Sequence, residues 1–197
     1  ETQSQLTPKT ALQLLTEGNA RFVENKKLNR ELLNQVSETS TGQFPFAAVL
    51  SCIDSRVPAE IVFDQGIGDI FSARVAGNIV NGDILGSIEY ACKVAGSKVV
   101  MVLGHTKCGA VTAACQHVEL GNITGLLSKV KPAMAALDLD NKEVTGELIE
   151  EVVVENVRQS IAQIRLESPI LKEMEDNGEI EIVGANYDVS NGKVTLV

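Results

Sequence analysis

Two short stretches of the sequence carry residue types whose spacing could support metal chemistry. In CIDSR, Cys52, Asp54 and Arg56 occupy alternate positions, and in GHTKCG, His105 and Cys108 stand three residues apart. Two thiolates and one imidazole form a donor set that suits zinc. A structural zinc is normally closed by four Cys or His ligands, so three such ligands beside a carboxylate favour a catalytic zinc with one open position.

Each stretch alone is a weak signal. A cysteine at the end of a strand is usually a small buried apolar residue, and an isolated HxxC pattern is not specific to metal sites. The zinc site becomes the better interpretation when the two stretches follow equivalent strands. We assign Cys92 and Cys115 to packing in the apolar core and His117 to the surface of a helix.

The spacing within the stretches predicts distinct roles. Arg56 is expected to hold the Asp54 carboxylate through charge-assisted hydrogen bonds, and Asp54 stands close enough to Cys52 to reach the open metal position or a water in it. Cys108 precedes an expected helix whose first amide groups favour the thiolate. The segment ARVAGN, residues 73–78, is compatible with an anion-binding corner and, equally, with a structural tether.

Apolar runs before the two stretches indicate the strands that position them. Residues 46–50 and 98–104 are each typical of a strand buried on both faces, and the carboxyl ends of parallel strands meet at one edge, where ligands bind. Two further strands are predicted at 70–75 and 180–187, and a hairpin turn leads to an antiparallel edge strand at 194–197. Predicted helices start at Thr7-Pro8 and cover parts of 31–42, 57–63, 82–95, 109–120, 123–137, 147–166 and 169–177.

This alternation predicts an α/β fold with a mostly parallel sheet of about four parallel strands plus an antiparallel edge strand, flanked by helices. A length of 197 residues fits one domain, in which we expect residues 1–42 to form an N-terminal helical arm and residues 43–197 the α/β core. The acids of residues 147–166 are expected on a solvated outer face of a helix.

Composition excludes some classes of partner. The net charge is −9, and residues 138–181 hold 13 of the 26 acidic side chains but 4 of the 17 basic ones, which argues against nucleic-acid binding. No apolar run approaches the roughly 18 residues of a membrane span. Four cysteines are too few for a disulfide scaffold. We expect a soluble protein, periplasmic if a leader was removed before Glu1 and otherwise cytoplasmic.

Four blocks in this order and spacing, CIDSRVPAE, FSARVAGN, SIEYA and GHTKCGAV, resemble the β-class carbonic anhydrases, and the similarity runs from about residue 11 to the final strands. The resemblance implies an enzyme with one Zn²⁺ per chain that hydrates carbon dioxide reversibly to bicarbonate and a proton by zinc-hydroxide attack. It implies Cys52, His105 and Cys108 as zinc ligands and Asp54 and Arg56 as the catalytic dyad. It also implies a homodimer or tetramer with active sites near the dimer interface, where the arm embraces a neighbouring subunit.

By position, the resemblance also implies a substrate pocket. Its residues are Gln43, Phe71, Ala76 and Tyr90. The matches favour the subtype in which zinc is open to water, because the subtype with Asp54 as a fourth ligand in a closed state carries a tryptophan where this chain has Val49.

Other functions remain open at the level of sequence. The same zinc site could hydrolyse a related substrate such as carbon disulfide. A catalytically inactive zinc-binding or redox-sensing protein would also account for the ligand set. A nucleotide-dependent oxidoreductase would account for the α/β pattern, but the glycines at 66–68 lack the third glycine of a dinucleotide fingerprint.

Overall fold

The two chemistry-bearing stretches follow neighbouring strands of one sheet in the computed structural model, which describes residues 3–197. The strands are β1 (Ala47–Ser51), β2 (Ile70–Arg74), β3 (Val99–His105), β4 (Glu181–Tyr187) and β5 (Val194–Leu196). Their order across the sheet is β2-β1-β3-β4-β5. The first four strands are parallel and β5 pairs antiparallel with β4, which confirms the predicted sheet.

Nine α-helices lie within the described residues, and most flank the sheet. They are α1 (Pro8–Val23), α2 (Leu32–Glu38), α3 (Ala59–Val62), α4 (Gly82–Glu89), α5 (Gly109–Cys115), α6 (Gly121–Leu127), α7 (Lys131–Ala136), α8 (Gly146–Glu167) and α9 (Pro169–Asp176). Short 3₁₀ turns cover Gln3–Gln5, Ala76–Asn78, Ser128–Val130 and Leu139–Asn141. In the part of the chain that the structure describes, no helix is both long enough and apolar enough to span a bilayer.

The centre of the sheet is closed to solvent on both sides. Every residue of β1 and β3 is buried, as expected for parallel strands covered by helices. One face packs with α1 and α3, and the other packs with α4, α8 and α9. The site-bearing strand ends are therefore held by two strands that are buried along their whole length.

Helix α8 lies across β3 and β4 at positions where the strands have no side chain. A Cβ atom added at Gly104 would lie 2.7 Å from a methyl carbon of Val157, and one added at Gly184 would lie 2.7 Å from the other methyl carbon of the same valine. The two glycines let the 22-residue helix approach the sheet closely, which brings its polar residues near the strand ends.

Helix α1, the main helix of the segment predicted as an arm, packs on the sheet of its own chain. Ala11 and Leu15 are fully buried in the same apolar cluster as β1 and β3, so the helix is part of the core. Arg21 and Arg30 both donate to the buried carboxylate of Asp64, which fastens the segment after α1 to the end of α3.

One helical prediction was too long at its carboxyl end. The predicted helix at 109–120 ends at Cys115, because His117 adopts a left-handed φ of 53° and a Schellman motif forms there. In this motif the amides of His117 and Val118 donate to the carbonyls of Ala114 and Ala113. His117 is therefore an exposed capping residue that follows the helix.

Two other predicted helices are interrupted. The helix predicted at 123–137 is split into α6 and α7 by the turn Ser128–Val130, and Pro132 stands in the first turn of α7, where its missing amide costs no hydrogen bond. The helix predicted at 82–95 continues beyond α4 as a π-helical turn over Tyr90–Val94.

Candidate metal centre

Adjacent strand ends bring the three predicted metal ligands together. Cys52 follows β1 directly, His105 ends β3, and the two strands pair in parallel, with Ser51 opposite Leu103. Cys108 is the residue before the first turn of α5. One ligand atom from each of Cys52, His105 and Cys108 lies within 4.8 Å of the others, and all three residues are buried.

The hydrogen bonding of His105 leaves one ring nitrogen for this cluster. Its Nδ1 lies 2.9 Å from the carbonyl oxygen of Thr106, which fixes the ring and the tautomer. Its Nε2 is buried and has no hydrogen-bond partner among residues 3–197. A buried polar atom without a partner is costly, and a role as metal ligand is the ordinary reason for one beside two cysteines.

The thiol groups of Cys52 and Cys108 interact by a hydrogen bond, and their pKa values shift in opposite directions. The hydrogen bond from Cys108 lowers the pKa of the Cys52 thiol to about 4 despite burial. The same contact raises the pKa of Cys108 and outweighs the amides of α5, which act in the opposite direction. Burial alone would lower the pKa of His105, but the neighbouring Cys52 sulfur raises it overall. The cluster thus concentrates negative charge on sulfur, which suits a soft divalent cation.

Asp54 and Arg56 form a fixed pair at the rim of the cluster. Arg56 donates from Nε to Oδ1 of Asp54 at 2.9 Å and from Nη2 to Oδ2 at 2.8 Å. These bonds hold the pKa of the Asp54 carboxyl well below its usual range. Oδ2 of Asp54 also lies 3.9 Å from Nε2 of His105, so an ionised carboxylate borders the three ligands.

The segment at residues 73–78 acts as a tether of the first stretch. Arg74 donates from Nε to the carbonyl of Cys52 at 3.0 Å and from Nη2 to the carbonyl of Asp54 at 2.6 Å. The amide of Gly77 donates to the Cys52 sulfur at 3.3 Å, a contact that favours the thiolate. Of the two interpretations that the sequence left open, these bonds favour the tether.

Helix α8 supplies three polar residues that sequence reasoning missed. Asn156 and Ser160 are buried and donate to the carbonyls of Gly77 and Asn78. Glu150 accepts a hydrogen bond of 2.8 Å from the amide of Lys107, so this acid does not lie on a solvated outer face as expected. The detectable signal was Asn156 and Ser160, which stand four residues apart and interrupt the apolar face of the helix.

The predicted pocket residues lie at different places. Ala76 adjoins Gly77 beside the cluster, whereas Gln43 is exposed before β1. The rings of Phe71 and Tyr90 meet edge to face at 6.2 Å between centroids and line a cavity of about 630 Å³. Of the described residues, the lining of that cavity does not include Cys52, Asp54, His105 or Cys108. Within one chain, the aromatic pair and the ligand cluster are therefore separate features.

Known proteins are similar to this chain in sequence and in fold. The family described as carbonic anhydrase matches residues 47–194. The carbonic anhydrase of Mycolicibacterium smegmatis is 34% identical over 191 residues, covering 96% of this chain and 93% of the relative. The solved structure of the β-carbonic anhydrase CcaA covers 95% of this chain and 87% of its own, with a TM-score of 0.75 and 26% identity.

A second solved structure supports the fold alone. It is one of two tetrameric β-carbonic anhydrases from Sordaria macrospora, with a TM-score of 0.75 and 24% identity, covering 96% of this chain and 97% of its own. The family match contains both chemistry-bearing stretches and begins after Gln43.

Proposed function

This chain belongs to the β-class carbonic anhydrase family and catalyses the reversible hydration of carbon dioxide, and from that premise we propose that Cys52, His105 and Cys108 hold the zinc ion on which the family depends. The observation that carries the proposal is the buried cluster itself, with its unpartnered imidazole nitrogen and its ionised thiol. When bound, zinc supplies a Lewis acid that makes water nucleophilic near neutral pH, a property for which three-histidine carbonic anhydrases are the reference case.

Asp54 and Arg56 are the chain's own catalytic groups in this proposal. The Asp54 carboxylate borders the cluster and accepts the hydrogen bond of the attacking water, which aims a lone pair of that water at the carbon of carbon dioxide. Arg56 holds both carboxylate oxygens, so the carboxylate stays ionised and turned toward the substrate. Because both of its carboxylate oxygens are bonded to Arg56, Asp54 would not act as a further ligand of the ion.

A second copy of the chain completes the substrate pocket. The side-chain oxygen of Gln35 on α2 accepts a hydrogen bond from the amide of Ile67. Leu33 on the same helix is 85% exposed, and Phe44 is 74% exposed. The helix exposes the apolar side chains of Leu32, Leu33 and Val36, and an exposed apolar patch of this kind indicates a surface covered by a partner. Strand β2, which carries Phe71, is an edge strand of the sheet, and an uncovered sheet edge is a ready pairing surface.

We infer a homodimer, or a tetramer built from such dimers, in which each copy presents its Gln43, Phe71 and Tyr90 to the site of the other. Ala76 comes from the same chain as the zinc ligands. Gln43 would donate to the developing bicarbonate oxygen, and the aromatic rings would shield carbon dioxide from bulk water. This arrangement accounts for the separation of the aromatic pair from the ligand cluster within one chain.

Zinc stoichiometry and stopped-flow carbon dioxide hydration test the site together. Cys52→Ala and His105→Ala should each lose zinc and activity, because each removes one of three ligands. Asp54→Ala should keep zinc and lose most of the activity.

Cys92→Ala is the matched control, since it removes a buried thiol from the apolar core and should keep both zinc and activity. Carbon disulfide hydrolysis is assayed in parallel. Full activity in a zinc-free Cys52→Ala protein would contradict the proposal.

A further inference from the structure

The turn between His105 and Cys108 is held from two sides. Lys107 at its centre has a left-handed φ of 55°, a conformation that residues other than glycine rarely adopt. Its amide donates to Oε1 of Glu150 at 2.8 Å, and its carbonyl accepts from Nη2 of Arg56 at 3.3 Å. The backbone of one residue therefore connects α8 to the arginine that holds Asp54.

Glu150 has features that distinguish it from the other acids of α8. Glu147, Glu151 and Glu167 are exposed, whereas Glu150 and Glu155 are half-buried, and among the described residues Glu155 bonds only to side chains of its own helix, Arg158 and Gln159. Its second oxygen, Oε2, is buried without a hydrogen-bond partner among residues 3–197. Withdrawing a carboxylate from water is unfavourable, so the bond to the Lys107 amide is the contact that accounts for its position.

We propose that Glu150 is a positioning residue that fixes the Lys107 turn and thereby sets both the spacing of His105 and Cys108 and the place of Arg56. The inference rests on the proposed zinc site. Glu150 locks the amide of Lys107, and the carbonyl of the same residue anchors the Arg56 guanidinium. Loss of Glu150 frees the turn, so the ligand pair and the Asp54–Arg56 pair lose their fixed relation.

Position, and not charge, is the property that this role requires. Glu150→Gln keeps a carbonyl oxygen at the same reach and removes the charge. Glu150→Asp keeps the charge but shortens the side chain by one methylene, which withdraws the acceptor from the Lys107 amide. Glu150→Ala removes the acceptor. Glu151→Gln is the matched control, because it makes the same change of charge on the adjacent, exposed residue.

Two measurements decide the question. Competition with a chromophoric chelator gives the zinc affinity, and the visible spectrum of the cobalt-substituted protein reports the ligand geometry. Loss of a group that orients metal ligands typically weakens binding by about 10- to 100-fold. We expect that loss and an altered cobalt spectrum in Glu150→Ala and Glu150→Asp. Glu150→Gln and Glu151→Gln should match the wild type in both measurements.

A second substitution tests the mechanism of the effect. Glycine adopts the left-handed conformation without strain. The turn in Lys107→Gly should therefore keep its conformation with less dependence on the hydrogen bond to Glu150. The double variant Lys107→Gly, Glu150→Ala should therefore recover a large part of the zinc affinity that Glu150→Ala loses. If the effects of the two substitutions on the free energy of zinc binding simply add, Glu150 does not act through this turn, and the inference is wrong.

The outcomes separate this inference from the zinc proposal. A wild-type protein that binds no zinc through Cys52 and His105 would overturn the zinc site itself. A wild type that binds zinc, with Glu150→Asp and Glu150→Ala unchanged in affinity and spectrum, would overturn only the role of Glu150. Equal losses in Glu150→Gln and Glu150→Ala would also contradict a positional role. If Glu150→Ala fails to fold, the comparison of Glu150→Gln with Glu150→Asp decides the question.

Discussion

Cys52 and Cys108 are not equivalent ligands before a cation arrives. At neutral pH the pKa of about 4 makes Cys52 a thiolate, while the raised pKa of Cys108 keeps its proton in place because a second negative charge would lie beside the first. The pKa of His105 is also raised. A metal ligand must be deprotonated, so zinc must displace the proton of Cys108, and the raised pKa of His105 strengthens the competition of protons with zinc as pH falls.

We therefore expect zinc affinity to rise with pH between about 6 and 8, by roughly tenfold or more for each pH unit, since at least one proton is released on binding. The sign follows from the raised pKa values, because protonated ligands compete with zinc more strongly as pH falls. The dissociation constant in chelator competition across this range measures the slope. Cys92→Ala should keep the same slope, and a pH-independent affinity would show that both thiols are already ionised.

At the residue level, the proposed zinc ligands could be picked out from the sequence because their signals are local. Cys52, Asp54 and Arg56 stand within five residues of each other, and His105 and Cys108 within four. Glu150 could not be found in this way, since its partner Lys107 lies 43 residues earlier in the chain. An acid on an amphipathic helix is usually solvated, and only the packing of α8 against the sheet shows that this one turns inward.

Among the elements, α8 determines how the strand ends are braced. Its approach to β3 and β4 depends on Gly104 and Gly184, and from that position Glu150 and Asn156 reach the two turns that border the metal cluster. The sequence predicted this helix and both strands but not their close approach, because a glycine in a strand is equally compatible with a bulge or a bend. The ends of helices were harder still to predict from the sequence. For example, His117 caps α5 in a left-handed conformation that glycine usually adopts.

Gly104→Ala should test this approach directly. The added methyl group would lie 2.7 Å from Val157, a β-branched side chain that cannot rotate away freely, so α8 must shift. We expect the free energy of unfolding to fall by about 1–3 kcal/mol, measured by urea denaturation. Because the shift also moves Glu150 and Asn156, zinc affinity should weaken in the folded protein.

Gly125→Ala is the control for this substitution. Gly125 lies in α6, is exposed, and an added Cβ atom would meet nothing within 4 Å. Alanine has the higher helix propensity, so this variant should be unchanged or more stable by up to about 1 kcal/mol. Equal stability of Gly104→Ala and the wild type would show that α8 shifts at this contact without lowering the free energy of unfolding.

On the scale of the whole molecule, the residues of the proposed active site lie in two separate places of one chain. The ligand cluster and the Asp54–Arg56 pair are assembled within the chain, whereas Phe71 and Tyr90 line a separate cavity. The sequence indicated pocket residues through their position in the family pattern, but a single chain cannot show which site they serve. The exposed apolar side of α2 gives the physical reason to place that site in a second copy.

Leu33→Asp tests whether this surface joins two copies. The side chain is 85% exposed in the single chain, so aspartate should leave the fold unchanged, while a carboxylate buried against an apolar partner surface is strongly unfavourable. We expect sedimentation velocity to show a shift from dimer to monomer, or from tetramer to a smaller assembly. Activity should fall in parallel while zinc content stays at one ion per chain, because in the proposed site the ligands come from one chain and the pocket from two. Leu166→Glu, at an 82% exposed leucine of α8, is the matched control and should change neither the assembly nor the activity.

A fully active Leu33→Asp monomer would show that Phe71 and Tyr90 of a second copy are not needed for catalysis. The substrate pocket would then have to be sought beside Ala76 within the single chain.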